Sequence, residues 1–201
     1  DTELNLWINE AGKDVAFKTK CIKTNGYMTP VTDTLEYTLS TYFPTLLSVL
    51  NVYINANAAA WRKLYSLIDR EEMDDQFPGW MDTTSGTPTH YFYSREEDAF
   101  ILYPPPNATN AASNNVRVYY AKMFTELSTG SGADTTEPGL PDSLQLAIVD
   151  WVVATGFQTR GYGDKANDAW AKYASKLQQY KVITDIEKED DRLIMRPEWG
   201  M

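Results

Sequence analysis

The fold turns on residues 140–181, LPDSLQLAIVDWVVATGFQTRGYGDKANDAWAKYASKLQQYK. In its first half Leu144, Ala147, Ile148, Trp151, Val152 and Thr155 recur at spacings of three and four, which predicts one buried stripe on a helix. Leu140-Pro141-Asp142 reads as the entry to that helix, with Pro just ahead of an Asp cap. Gly161-Tyr162-Gly163 breaks it, Asp164 is expected to cap a second helix, and Ala166, Ala169, Trp170, Tyr173, Leu177 and Tyr180 form the second stripe. Two helices of about 17–19 residues joined so tightly make an antiparallel hairpin. Gly161 to Ala166 also spell a dinucleotide fingerprint, but that motif needs a strand before it to bring pyrophosphate to the following helix. A helix precedes it here, so the segment reads as a hairpin turn.

At the other end, Leu4, Trp7, Ile8, Ala11, Val15 and Ala16 predict an amphipathic helix from Leu4 to about Lys20. It begins almost at Asp1, which leaves room for an element ahead of it. Between the two helical regions the period changes. Asn25-Gly26 is a turn signal, and Leu35, Tyr37 and Leu39 alternate with polar residues as in a half-buried strand. Leu46 to Ile54 is tipped from helix to strand by its β-branched residues, Asn55–Ala60 reads as a turn or loop, and Trp61–Leu67 reads as a further strand. Asp69 should cap a short helix that stops before Pro78-Gly79. Tyr91–Tyr93 and Phe100–Tyr103 flank the polar Ser94–Asp98 as a hairpin, Pro104-Pro105-Pro106 ends it, and Val116, Val118 and Tyr120 mark a last strand. These add up to about six short strands between Thr29 and Phe124.

The predicted fold is therefore α+β. Residues 1–24 and 140–181 form a helical layer, 25–127 an inserted antiparallel β-sandwich or small barrel, 128–139 a Ser/Thr/Gly-rich linker, and 182–201 an extended C-terminal arm. The arm carries Leu193, Ile194, Met195, Pro197 and Trp199 beyond the charged run Glu187–Asp191, so it either docks on a partner or folds back on its own domain.

The 201 residues, 43% of them hydrophobic and 13% aromatic, suffice for a core without staples. Eighteen Lys and Arg against 28 Asp and Glu give a net charge of −10, which argues against gripping nucleic acid by its phosphates, though not against enclosing it. By segment the net charge is −2 for 1–60, −6 for 61–140 and −2 for 141–201. The single Cys21 excludes an intrachain disulfide, and with the single His90 it cannot build a His/Cys zinc site from one chain. No run approaches the ~20 apolar residues of a membrane span.

Chemistry is equally sparse. Serine catalysis would need His90 as its base, yet that residue abuts the aromatic strand and no nucleophile-elbow sequence occurs. Carboxylates cluster at Glu71–Asp75, Glu96–Asp98 and Glu187–Asp191, so an acid/base pair with Trp and Tyr lining a sugar cleft is chemically open. Their loop and helix-start settings are those of solvated charge. Asn107-Ala108-Thr109 is a glycosylation sequon by pattern only. No catalytic, metal or cofactor residue is assigned.

With these residues laid out, the order of segments resembles the bacteriophage head-to-tail connectors, the adaptor or neck proteins between portal and tail. The resemblance spans about residues 6–180. It rests on Leu6-Trp7-Ile8-Asn9-Glu10-Ala11 with Asp14-Val15-Ala16, Glu36-Tyr37-Thr38-Leu39 followed by Leu46-Leu47-Ser48-Val49, and Leu64 with Glu72-Met73-Asp74. Trp80, Pro88 with Tyr91, Ile101-Leu102-Tyr103-Pro104-Pro105, Val118 and Tyr120, and Leu140-Pro141 complete it, while Ser40 stands where such proteins often have Pro. The resemblance implies a structural virion protein, assembled in the bacterial host cytoplasm, without catalysis or cofactor. It implies a homo-oligomeric ring of about twelve copies beneath the portal, bound to tail or nozzle proteins and crossed by genomic DNA. Terminal segments of such adaptors engage the portal, which makes Leu193, Ile194, Met195, Arg196 and Trp199 the candidate portal- or neighbour-binding residues. A tail-tube or tail-completion protein, and a secreted carbohydrate-binding or glycoside-hydrolase domain, are the competing readings.

Overall fold

A computed structural model describes residues 2–56, 60–67, 69–127 and 139–194, with side chains as far as residue 184. In chain order its elements are α1 (Thr2–Thr19), β1 (Lys23–Met28), β2 (Glu36–Thr38), α2 (Leu39–Tyr42), β3 (Leu46–Ala56), β4 (Ala60–Lys63), β5 (Tyr65–Ser66), α3 (Arg70–Gln76), a 3-10 turn (Trp80–Asp82), β6 (His90–Ser94), β7 (Ala99–Tyr103), β8 (Val116–Lys122), α4 (Asp142–Thr159) and α5 (Gly163–Ile194). The class is α+β, and the chain divides into two compact units: Asp1–Ile22 with Met123–Met201, and Lys23–Lys122.

The first unit is helical. Glu3 in the first turn of α1 and Lys18 in its last suit the helix dipole, and Lys18 donates to Asp14 one turn back at 2.8 Å. Lys20, at φ 51°, ends the helix by donating its N–H to the Ala16 carbonyl. The buried face of α1 is Asn9, Ala11, Gly12, Val15 and Ala16, while Leu4, expected inside, is exposed. The face is displaced because the chain returning from the second unit lies along it. Phe124 stacks where Gly12 has no side chain, and Asn9 clamps Leu127 by donating to its carbonyl and accepting from its N–H at 2.8 Å.

Helices α4 and α5 form the expected hairpin around Gly161, whose φ of 78° only glycine adopts freely. Two local expectations are corrected. Pro141, not Asp142, holds the cap position of α4, and Asp142 sits in the first turn accepting from the Gln145 amide. Asp164 likewise lies within the first turn of α5, which starts at Gly163. The pair is tied by Lys176, which donates to the Asp150 carboxylate and the Leu146 carbonyl, and by the edge-on rings of Trp151 and Trp170. The Tyr173 hydroxyl donates to Asp14 of α1, and burial together with that carboxylate raises its pKa far above the ordinary value of 10.0. Residues 182–194, expected to be extended, instead continue α5 to 32 residues. No Gly or Pro occurs between Gly163 and Pro197, so nothing local stops the helix.

The second unit is a sandwich of two open sheets and not a barrel, with strand orders β1-β8-β3-β4 and β2-β7-β6-β5. All pairs are antiparallel except β5 with β6. Met28, Val52, Ile54, Val116 and Val118 of the first sheet share a core with Tyr37, Tyr91, Phe100 and Leu102 of the second. The other face of the second sheet carries a smaller cluster, in which Phe92 and Ile101 pack on Leu67, Met73 and Trp80. The α3 and 3-10 segment thus forms a third layer, anchored by the Asp69 side chain accepting from the Glu72 N–H and by Trp80 Nε1 donating to Asp74.

The Asn25-Gly26 pair does not turn. It lies inside β1, with Asn25 opposite Tyr119 and Gly26 opposite Val118. A Cβ on Gly26 would stand 2.9 Å from the Phe43 ring, so the glycine admits that ring to the core and is not there to reverse the chain. Leu39, expected to close a strand, opens the short α2.

Candidate functional site

Among the described residues, His90, Arg70 and the carboxylates Glu36, Glu97 and Asp98 are engaged by neighbouring groups. His90 sits in β6 beside Phe77 and Tyr65, its Nδ1 2.9 Å from the Thr89 hydroxyl. Burial lowers its pKa below 6.5, partly opposed by the nearby Glu72 charge. Two of the carboxylate clusters converge on one edge of the second sheet. Arg70 donates to Glu97 at 2.9 Å and to Glu36 at 3.2 Å, and these partners, Glu97 foremost, raise the guanidinium above its ordinary pKa. Asp98, in the β6–β7 turn, accepts from both the N–H and the hydroxyl of Ser40. Glu36, Tyr37, Thr38, Glu97 and Asp98 line a shallow open hollow there. Of the sequon, Asn107 is spent internally, its side-chain oxygen accepting from the backbone and amide of the buried Asn110. Among the described residues no three His, Cys, Asp or Glu side chains stand where they could hold a metal ion.

Of the candidate binding residues, Leu193 and Ile194 fall in the last turn of α5, whereas Met195, Arg196 and Trp199 lie outside the described residues, as does the 128–138 part of the predicted linker.

Two surfaces escaped the reading of the sequence. On α4, Leu146 (60% exposed), Val149 (54%) and Val153 make a second apolar stripe beside the buried one. Its signal was present in the letters: apolar residues at spacings of three and four on both sides of a helix mark a helix covered on both sides. On the outer face of the first sheet, the register aligns Tyr27, Arg117, Tyr53 and Lys63 in one row, with Asn25, Tyr119 and Asn51 in the next. The Arg117 guanidinium lies 4.6 Å from the Tyr119 ring and 5.4 Å from the Tyr27 ring, and it donates to Asn25. Trp61 reaches over to Tyr27, and these two rings are 43% and 45% exposed. Exposed Trp, Tyr and Arg on a flat face, and an apolar helix stripe, are the composition of protein contact surfaces, not of a catalytic cleft.

No curated protein matches the sequence. A family model described as SU10 adaptor protein matches residues 1–197. With that match covering nearly the whole α+β chain, the protein belongs to the SU10 adaptor protein family and is a structural adaptor of a bacteriophage virion.

Proposed function

We propose that this adaptor acts as a homo-oligomeric ring of about twelve copies at the neck of the virion, beneath the portal and above tail or nozzle proteins, with genomic DNA passing through the ring. The observation that carries the reading is the second stripe of α4. Its other face already packs within the helical unit, so Leu146, Val149 and Val153 stay about half exposed in the single chain. A neighbouring copy supplies it, since a ring of identical chains places every helical unit against the next. In this arrangement residues 1–24 and 140–181 form the helical domain, 25–127 the β insertion, and 182–201 the arm. Leu193, Ile194, Met195, Arg196 and Trp199 engage the portal or a neighbour. The net charge of −10 fits a conduit through which DNA slides without sticking.

The test is native mass together with negative-stain imaging, on the chain alone and mixed with portal protein. The expected result is a closed ring near 270 kDa, from about twelve copies of 22.8 kDa, either unaided or templated by portal. A chain that stays monomeric and unbound in both samples overturns the proposal.

A further inference from the structure

The overall charge of −10 hides a strong polarity within the second unit. Strands β1, β3, β4 and β8 contain Lys23, Arg62, Lys63, Arg117 and Lys122 and not one Asp or Glu. The outer face of their sheet is therefore cationic as well as aromatic, with Lys23 and Lys63 exposed and Arg117 between Tyr27 and Tyr53, while Arg62 and Lys122 fall on the other side. On the far side of the sandwich, beyond the second sheet, lies the α3 layer. Residues 69–98, which include it and the β6–β7 turn, carry nine carboxylates against two arginines. One of those arginines, Arg70, is already paired with Glu36 and Glu97. Glu71 and Asp75 point to solvent from α3.

We propose that the β unit is an electrostatic head-to-tail module: the cationic aromatic sheet face around Trp61, Lys63 and Arg117 docks on the acidic α3 layer of a second copy of this chain. The inference rests on the ring reading and goes beyond it by naming the surfaces. Charge complementarity selects the occupant. A face with three cations, Lys23, Lys63 and Arg117, and no acid calls for an acidic partner, and the same chain presents one on the opposite side of the same unit. Opposed complementary faces on one subunit give a heterologous contact, the kind that closes rings when the rotation permits. The half-exposed Trp61 and Tyr27 supply the anchors, and the surrounding charges set orientation and partner choice.

Paired charge reversal separates this from other contacts. Lys23→Glu/Lys63→Glu on the sheet and Glu71→Lys/Asp75→Lys on α3 all change exposed side chains, and circular dichroism checks that each variant keeps its fold. Sedimentation of the full chain, with portal added if portal is needed as template, should show self-association weakened roughly tenfold or more by either pair alone. It should recover in the chain bearing all four substitutions, and also in an equimolar mixture of the two double variants, where reversed faces meet alternately. Wild-type association should weaken as salt is raised. Double variants that assemble like wild type, or a fourfold variant no better than either pair, overturn this interface and leave the ring standing. If a double variant loses its fold, Lys63→Gln and Glu71→Gln with the salt titration replace it, and salt-independent assembly of wild type overturns the proposal. A wild-type chain that stays monomeric and unbound with portal overturns both.

Discussion

Gly12 is the position where local and tertiary effects have opposite signs. It lies in the interior of α1, where replacing Gly by Ala ordinarily stabilises a helix by about 1 kcal/mol. Here a Cβ would stand 2.6 Å from Cζ of Phe124 and 2.7 Å from both Cε atoms, closer than carbon atoms pack. The Phe124 ring is only 5% exposed and cannot swing clear into water. Overpacking of this kind costs about 1–3 kcal/mol, so Gly12→Ala is expected to destabilise the helical unit by about 1 kcal/mol net. In a Phe124→Ala background, itself costing about 3–5 kcal/mol, the clash is gone and the same substitution should stabilise by about 1 kcal/mol. Urea denaturation followed by far-ultraviolet circular dichroism, which weights the helices, measures all four corners of the cycle. The sign change is the diagnostic. If Gly12→Ala raises stability with Phe124 present, Phe124 does not rest on α1 as described and the argument is wrong.

Four shorter predictions follow from other sites. Leu146→Glu with Val149→Glu should change monomer stability by no more than about 1 kcal/mol while abolishing assembly in negative stain, because both side chains are more than half exposed in the single chain. Asp69→Ala removes the acceptor for the Glu72 N–H and should cost about 1 kcal/mol by urea titration. Since the His90 pKa is lowered in the fold, the unfolded chain binds the proton more readily below pH 6.5. Stability should therefore be full above that pH and fall as pH drops beneath it, a slope that His90→Phe reduces in thermal melts. Deleting residues 191–201 should abolish incorporation into virions while leaving the far-ultraviolet helix signal nearly intact, and normal incorporation would remove the arm from the portal contact.

What could be read from the letters was what short-range chemistry decides. Asp69 and the Pro78-Gly79 stop delimit α3 by interactions a few residues long, and Ser94–Asp98 sets the β6–β7 hairpin in the same way. Where the deciding partner is distant, the reading failed. Asn25-Gly26 has the composition of a turn, but pairing with β8 some ninety residues away makes it strand, and only the position of the Phe43 ring explains the glycine. The exposed Leu4 has the same origin, since the segment returning at Phe124 and Leu127 chooses which side of α1 is covered. The sheet face was invisible for a stronger reason. Tyr27, Tyr53, Trp61 and Arg117 become neighbours only through strand order, and no window of sequence contains them together.

Strand order also changes what the charge means. Along the chain, residues 61–140 are the most acidic third, yet they contain Arg62, Lys63, Arg117 and Lys122 of the cationic sheet. Folding sorts that mixture, sending these four cations to one sheet and Asp69, Glu71, Glu72, Asp74, Asp75 and Asp82 to the layer on the far side of the other. An averaged net charge therefore says little about how copies of this adaptor meet. The helical and β units present different physics for that meeting. The α4 stripe is apolar, and its burial is insensitive to ionic strength or slightly strengthened by excluded salts. The sheet contact is between exposed charges and is screened within about 10 Å at 0.1 M salt. If both contacts close the ring, raising salt should loosen the β units while the helical units stay associated. Association should then weaken with salt down to a floor set by the α4 stripe, a floor that a ring held by charge alone would not show.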